Sequence, residues 1–240
     1  MDKRNSTIMN IIFESGSSHT WLLDIGIAAI GTAFGALAGS WFSYFLERRA
    51  RERVTKELNI TAANLSLTLL FNHWYGLLTY KIDCLESADR TKVPWLQATA
   101  TYPRPMEDSI KFDVKSLSFL SIHDHDILPT LLMIQSNNIV LFSLLSRRFN
   151  LIDDISKHPK PNTAGERDES YWRIAVGDAK IIELKQIYGH LWETVERELK
   201  STHDAFAKLH DILIRIYPDS GKIIANSDFD EEAVRVKVRQ

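Results

Sequence analysis

The residues best suited to chemistry lie at 123–126, where His123, Asp124, His125 and Asp126 follow one another. Imidazole and carboxylate together suit zinc or another divalent ion, which makes His123 and His125 the metal-ligand candidates. Consecutive residues rarely converge on one ion, however, and no matching distant ligands stand out. The expected role is a solvated turn that caps the helix after it, and no metal or other cofactor is expected. Cys84 is the only cysteine, so no intramolecular disulfide can form, as expected in a reducing compartment. It sits among apolar neighbours in the middle of a helical stretch and makes a poor nucleophile. Gly26–Gly31 has the GxxxxG spacing of a phosphate loop but lacks the Lys-Ser/Thr that would reach phosphate and metal. Neither GxSxG nor a zinc-finger spacing occurs.

A second candidate is Arg197-Glu198-Leu199-Lys200-Ser201-Thr202-His203. An arginine several residues before a histidine, on a helix of an all-helical domain, resembles the motif of HEPN-type ribonucleases. The resemblance implies that Arg197 and His203 would act together on an RNA backbone within a dimer. It covers this short run alone. Glu198 stands where that family usually prefers a smaller or hydrogen-bonding polar residue, and Leu199 and Thr202 fit a helical core stripe without any chemistry. His203-Asp204 and His210-Asp211 resemble the doublet of HD-type phosphohydrolases, whose upstream histidine and distant aspartate have no counterpart here. The 29 basic and 31 acidic residues give a net charge of -2, which argues against a nucleic-acid-binding domain. The chain reads more readily as a non-enzyme.

The elements that would carry these residues are plainer than the chemistry. Ile25–Leu46 contains no charged residue. At about 1.5 Å per residue it reaches roughly 33 Å, enough for a hydrocarbon core of about 30 Å. Trp21 marks one end of the span, and Trp41, Phe42, Tyr44 and Phe45 crowd the other, where amphipathic rings favour the headgroup level. Arg48, Arg49, Arg51, Arg53 and Lys56 follow at once, whereas only Lys3 and Arg4 precede it. Basic flanks stay on the cytoplasmic side, which puts the N-terminus outside and the C-terminal bulk in the cytoplasm, with the arginines on anionic lipid headgroups. The rival is a cleavable secretory signal ending at Ala36-Leu37-Ala38. The apolar run continues past that point into the arginines, which is a stop-transfer arrangement.

Gly31, Gly35, Gly39 and Ser43 recur every four residues on one face of this helix, and Ala28, Thr32, Ala36 and Ser40 lie on the next. Glycine is costly in a helix, and in lipid the usual reason for it is close backbone approach between helices. The stripe predicts self-association. Asp24, seven residues before Gly31, would then form a ring of carboxylates near the outer mouth; the plainer role is an anion in the first helical turn, where the dipole favours it.

All seven prolines lie at or beyond residue 94. The span is therefore expected to continue as a helix, with Val54, Leu58, Leu65 and Leu69 facing inward. Ser87–Met106 reads as a loop, a short helical piece follows Asp113, and a second long helix starts near Pro129. That helix carries Ile134, Asn138, Leu141, Leu145, Phe149 and Ile152 at steps of three and four, with Asn138 placed to fix register. Gln135, Ser136 and Asn137 beside Asn138, then Arg147 and Arg148, make it too polar for a second crossing. Lys157–Glu169 is a linker by composition. The seam Leu184, Tyr188, Leu191, Val195, Leu199, Thr202, Phe206, Leu209, Leu213 and Ile216 is a heptad pattern with one stutter near Val195–Leu199. Val234, Val236 and Val238 alternate with basic residues, a strand-like period.

The expected fold is all-α: an outward tail over 1–20, a transmembrane helix over 21–46, a cytosolic antiparallel bundle of about four helices over 47–217, and a tail over 218–240 with a short strand. This layout resembles uncharacterised single-pass inner-membrane proteins of bacteria, some of which accompany anti-phage defence systems. The resemblance implies a membrane effector or toxin whose partners are membrane lipid, further copies of itself and a cytosolic protein that acts as trigger. A membrane-tethered adaptor and the HEPN-like ribonuclease are the competing classes.

Overall fold

The computed structural model describes the backbone of residues 4–89, 93–97, 110–157, 169–218, 220, 221, 223 and 229–238. Side chains are described from Ile25 onward, except at 156, 170, 171, 175, 176, 233, 237 and 238 within the helices. Every described element is helical. Helix α1 (Arg4–Tyr80) passes into a π-helical turn (Lys81–Glu86) and the short α2 (Ser87–Asp89). Then come α3 (Pro94–Gln97), a 3-10 turn (Ser118–Ile122), α4 (Ile127–Ser156), α5 (Glu169–Val176), α6 (Asp178–Ile216) and α7 (Glu231–Val238). The chain divides into two compact units, Met1–Glu57 and Leu58–Gln240.

In the first unit the large apolar side chains described, from Ile25 onward, are exposed. Trp41 is 78% exposed and Phe34 70%, and Ile27, Ile30, Leu37 and Phe42 are likewise open. Thr32 satisfies its hydroxyl within the helix, donating to the Ala28 carbonyl at 2.7 Å. A threonine in an apolar segment needs such a bond, because an unpaired hydroxyl is costly away from water.

The second unit is organised by three long elements: α1 from Leu58 on, α4 and α6. One cluster joins Ala63, Leu67 and Leu70 to Ile127, Leu131 and Ile134 and to Phe206 and Leu209; another joins Leu77, Tyr80 and Cys84 to Leu141 and to Leu191 and Val195. Burying a leucine fully is worth about 1.5–3 kcal/mol, so these stripes hold the unit together. The α6 seam is buried or half-buried throughout, as its spacing predicts. Gly177, at φ 91°, separates α5 from α6 in a backbone conformation that side-chain-bearing residues rarely adopt.

Several expectations are corrected. The inward face of α1 is Ile60, Ala63, Leu67, Leu70, Trp74 and Leu77, whereas Val54, Leu58 and Leu65 are exposed and Leu69 half-buried. Two apolar stripes run along this helix, and α4 and α6 cover the other one. On α4, Phe149 is exposed and Arg148 takes its place inside, which keeps the 4-3 spacing Leu141, Leu145, Arg148, Ile152, Ile155. Within the expected loop 87–106, α2 and α3 are helical, and Val93 and Trp95 are core residues packed on Ile155, Ile181 and Leu184. The expected linker runs to Glu169, which instead opens α5; positions 158–168 of it lie outside the described residues.

The valine alternation at the C-terminus forms helix α7 and not a strand. Asp230 starts it, accepting the Glu232 N–H at 2.9 Å, and the helical period puts Val234 against Trp74, Leu78 and Ile82. Arg235 grips Glu86 through two bonds of 2.6 and 2.7 Å. A terminal strand would need a neighbouring strand, and none occurs among the described residues; the helix finds an apolar pocket and a carboxylate.

Two helices are long and apolar enough to cross a membrane: the one running over Ile25–Asp89, with none of its most apolar window buried, and α4 over Ile127–Ile155, with 28% of that window buried. By length and composition α4 therefore qualifies despite Gln135, Asn137 and Asn138.

Candidate functional site

The glycine stripe is an open groove in the helix surface. A Cβ added at Gly31, Gly35 or Gly39 would meet nothing within 4 Å among the described residues, so no packing among them explains these glycines. The side chain of Asp24 lies outside the described residues, as does that of Trp21. Beyond the apolar run the basic cluster is partly compensated: Arg48 Nε donates to Glu52 at 3.0 Å, and Arg51 pairs with Glu47. Arg49 lies over the Phe45 ring at 4.5 Å, a cation–π contact that ties the last apolar turn to the first basic one. Arg53 and Lys56 complete the cluster and are exposed.

The chemical candidates do not come together. The groove that contains Arg197 is lined by Thr130, Lys200, Ser201, Asp204 and Lys208, and His203 is not part of it. The His203 ring meets the edge of Phe229 at 5.0 Å, and its Nδ1 lies 3.4 Å from Asp204. Six residues on a helix separate two side chains by about 120° around the axis, which is why Arg197 and His203 diverge. At 123–126, Asp124 accepts the Asp126 N–H at 2.9 Å and the Lys208 ammonium at 3.0 Å, and these bonds hold its carboxyl below the usual range, Lys208 foremost. The turn thus leads into α4 through Asp124, while Asp126, the residue at the cap position, makes no side-chain cap. Among the described residues no three His, Cys, Asp or Glu side chains are placed to hold a metal ion. Asp113 does cap the piece after it, accepting from the Lys115 and Ser116 N–H groups at 3.2 and 3.3 Å. Burial pushes the Cys84 thiol up to about 12, which makes it a poor nucleophile until the fold opens around it.

What the heptad pattern conceals is a polar layer. Leu70 and Leu77 of α1, Ile134 and Leu141 of α4, and Val195 and Ala205 of α6 flank it in the two apolar clusters. Between them lie His73, Asn138, Glu198 and Thr202, all buried, with Glu198 fully enclosed. Asn137 donates to Glu198 Oε1 at 2.7 Å. His73 Nε2, Asn138 Oδ1, Glu198 Oε2 and Thr202 Oγ1 have no hydrogen-bond partner among the described residues. Burial lowers the His73 imidazole to about 4 and raises the Glu198 carboxyl, the Asn137 bond opposing the rise. Both groups are driven toward their neutral forms. No family model matches this chain, nor does any curated protein or solved structure.

On α6 the sequence offered one sign of this layer: Glu198 falls within the stutter at Val195–Leu199, where a local shift of the seam turns an extra position inward. Asn138 was already legible on its own stripe. His73 and Arg148 gave no compositional signal beyond their place at core spacing.

Proposed function

We propose that this protein is a single-pass membrane effector that has no enzymatic activity and self-associates through Gly31, Gly35, Gly39 and Ser43 of its Trp21–Leu46 span. The observation that supports this is the combination, on one helix, of an exposed apolar surface and a glycine face that no described residue occupies. Lipid is the solvent in which that surface is stable, and a second glycine face is what fits so shallow a groove. The basic cluster favours a cytoplasmic domain beyond the span, with Arg53 and Lys56 toward anionic headgroups. Helix α4 reads as a core helix, because α6 covers its inward stripe and α6 carries Lys, Arg, Glu and Asp along its other faces. In the effector reading a cytosolic partner acts on the helical domain, and assembly of the spans then perturbs the inner membrane.

The test is overexpression with a membrane-potential dye. The wild type depolarises cells and Gly35→Leu does not, while His203→Ala behaves as wild type. The reverse pattern would point to the ribonuclease and end the effector reading. An adaptor is the second reading, favoured by an open groove of about 710 Å³ along Leu58, Leu65 and Leu69 facing Lys111 and Lys115. Function retained by the helical domain on an unrelated anchor would support it.

A further inference from the structure

The most unusual side chain in the helical domain is Arg148. It is 5% exposed, yet it has no carboxylate partner among the described residues. Its neighbour Arg147 shows the ordinary alternative, an exposed guanidinium bonded to Glu183 at 2.6 Å. Arg148 Nη2 donates to the Trp95 carbonyl at 3.3 Å, a long bond, and its buried Nε has no acceptor. A guanidinium cannot shed its proton to relieve burial, and a buried charge without a counter-charge is strongly unfavourable. The titratable groups that act on it are the Tyr80 and Tyr188 phenols and the Cys84 thiol. Burial drives all three toward their neutral forms, so none supplies the missing anion.

The wall opposite is irregular backbone. Lys81–Glu86 is π-helical, a rare geometry found mostly at functional sites, and it carries Cys84. Tyr188 donates to the Leu85 carbonyl of the same turn at 3.3 Å. A buried cation with no carboxylate partner among the described residues thus lies close to the Cys84 thiol of the π-turn.

We propose that Arg148 anchors a binding site for a small oxyanion, a carboxylate or a phosphate, between the π-helical turn, α3, α4 and α6. The planar guanidinium presents paired N–H donors that match two oxygens of either group, and the incoming oxygens take the place of the Trp95 carbonyl. A headgroup held in a bilayer cannot reach a side chain so enclosed, whereas a free solute enters when the domain opens locally. This site does not depend on the membrane reading.

The test uses the purified full chain in detergent, with acetate or inorganic phosphate titrated at an ionic strength held constant with chloride. The wild type should gain about 5–10 °C in melting temperature at a hundredfold excess over the dissociation constant of the oxyanion that fits, and the gain should rise with the logarithm of its concentration. Arg148→Met should melt higher than wild type without oxyanion, because it removes a buried charge, and should show no such gain. Cys84, the only cysteine, gives an independent reading in the unmutated protein: alkylation by N-ethylmaleimide should slow roughly tenfold or more at saturation. If Arg148→Met fails to fold, that protection decides alone. Equal gains in both proteins, or no gain above the chloride control and no protection by either oxyanion, would overturn the proposal.

Discussion

One helix, α1, carries two apolar stretches that are treated in opposite ways. Between Ile25 and Leu46 the large apolar side chains are open; between Ile60 and Leu77 the inward ones are covered by α4 and α6. The covered stretch alternates with Thr68 and Asn72, which face water, and with the half-buried Asn64, and it pairs with helices of the same amphipathic kind. The open stretch has no polar face to offer, only small residues. An amphipathic helix needs a protein partner to bury one side, while a helix apolar all round needs a solvent that is itself apolar. The difference teaches that length and hydropathy alone do not separate an anchor from a core helix; which face is polar, and what covers the other, does.

The sharpest way to break this comparison is to place charges in both settings. Phe34→Arg with Leu37→Arg should cost about 5–7 kcal/mol of insertion and remove most of the chain from sedimented membranes. Ile139→Arg, on the open face of α4, should leave both membrane fraction and stability within about 0.5 kcal/mol of wild type. A strong loss from Ile139→Arg would mean that α4 also enters lipid. Next in size is a contrast within α1: Leu67→Ala should destabilise the domain by about 2–5 kcal/mol, whereas Leu65→Ala, two residues away, should cost under about 0.5 kcal/mol in denaturant melts.

The polar layer gives a pH signature. His73 is lowered in the folded state to about 4 from its ordinary 6.5, so its contribution is present above 6.5 and is lost as pH falls toward 4. Glu198 is raised, so its contribution has the opposite sign, present at acid pH and lost as pH rises through its folded value. Glu198→Gln should therefore steepen the acid loss of stability, toward about 1 kcal/mol per pH unit, and His73→Gln should flatten or reverse it. Parallel curves for the three proteins would refute the assignment. A modest effect is expected of Arg235→Ala, which releases the partly exposed Glu86 and should cost about 1 kcal/mol or less, seen as faster amide exchange across α7.

How far the sequence discloses these features depends on how many residues share the signal. The α6 seam runs for ten positions and is legible, because a one-residue error would turn most of them outward. On α1 two stripes compete, Leu58 and Leu65 against Leu67, Leu70 and Leu77, and periodicity cannot tell which one meets α4 and α6. Phe149 outranks Arg148 on any hydropathy scale, yet Arg148 keeps the spacing and goes inside. The valines at 234, 236 and 238 suit a strand by local pattern, but the Asp230 cap and the Glu86 carboxylate, distant in sequence, favour a helix. For the candidate site the sequence supplied the glycine face and Asn138; the polar layer and Arg148 depend on pairings across three helices that one chain's spacing does not encode.

The most direct measurement is an alkaline carbonate wash of envelopes holding the full-length wild-type chain. On the proposed reading the polypeptide stays in the pellet at full length, held by the exposed Ile25–Leu46 surface in lipid. Release into the supernatant, or recovery of a shortened chain cut near Ala38, would contradict it.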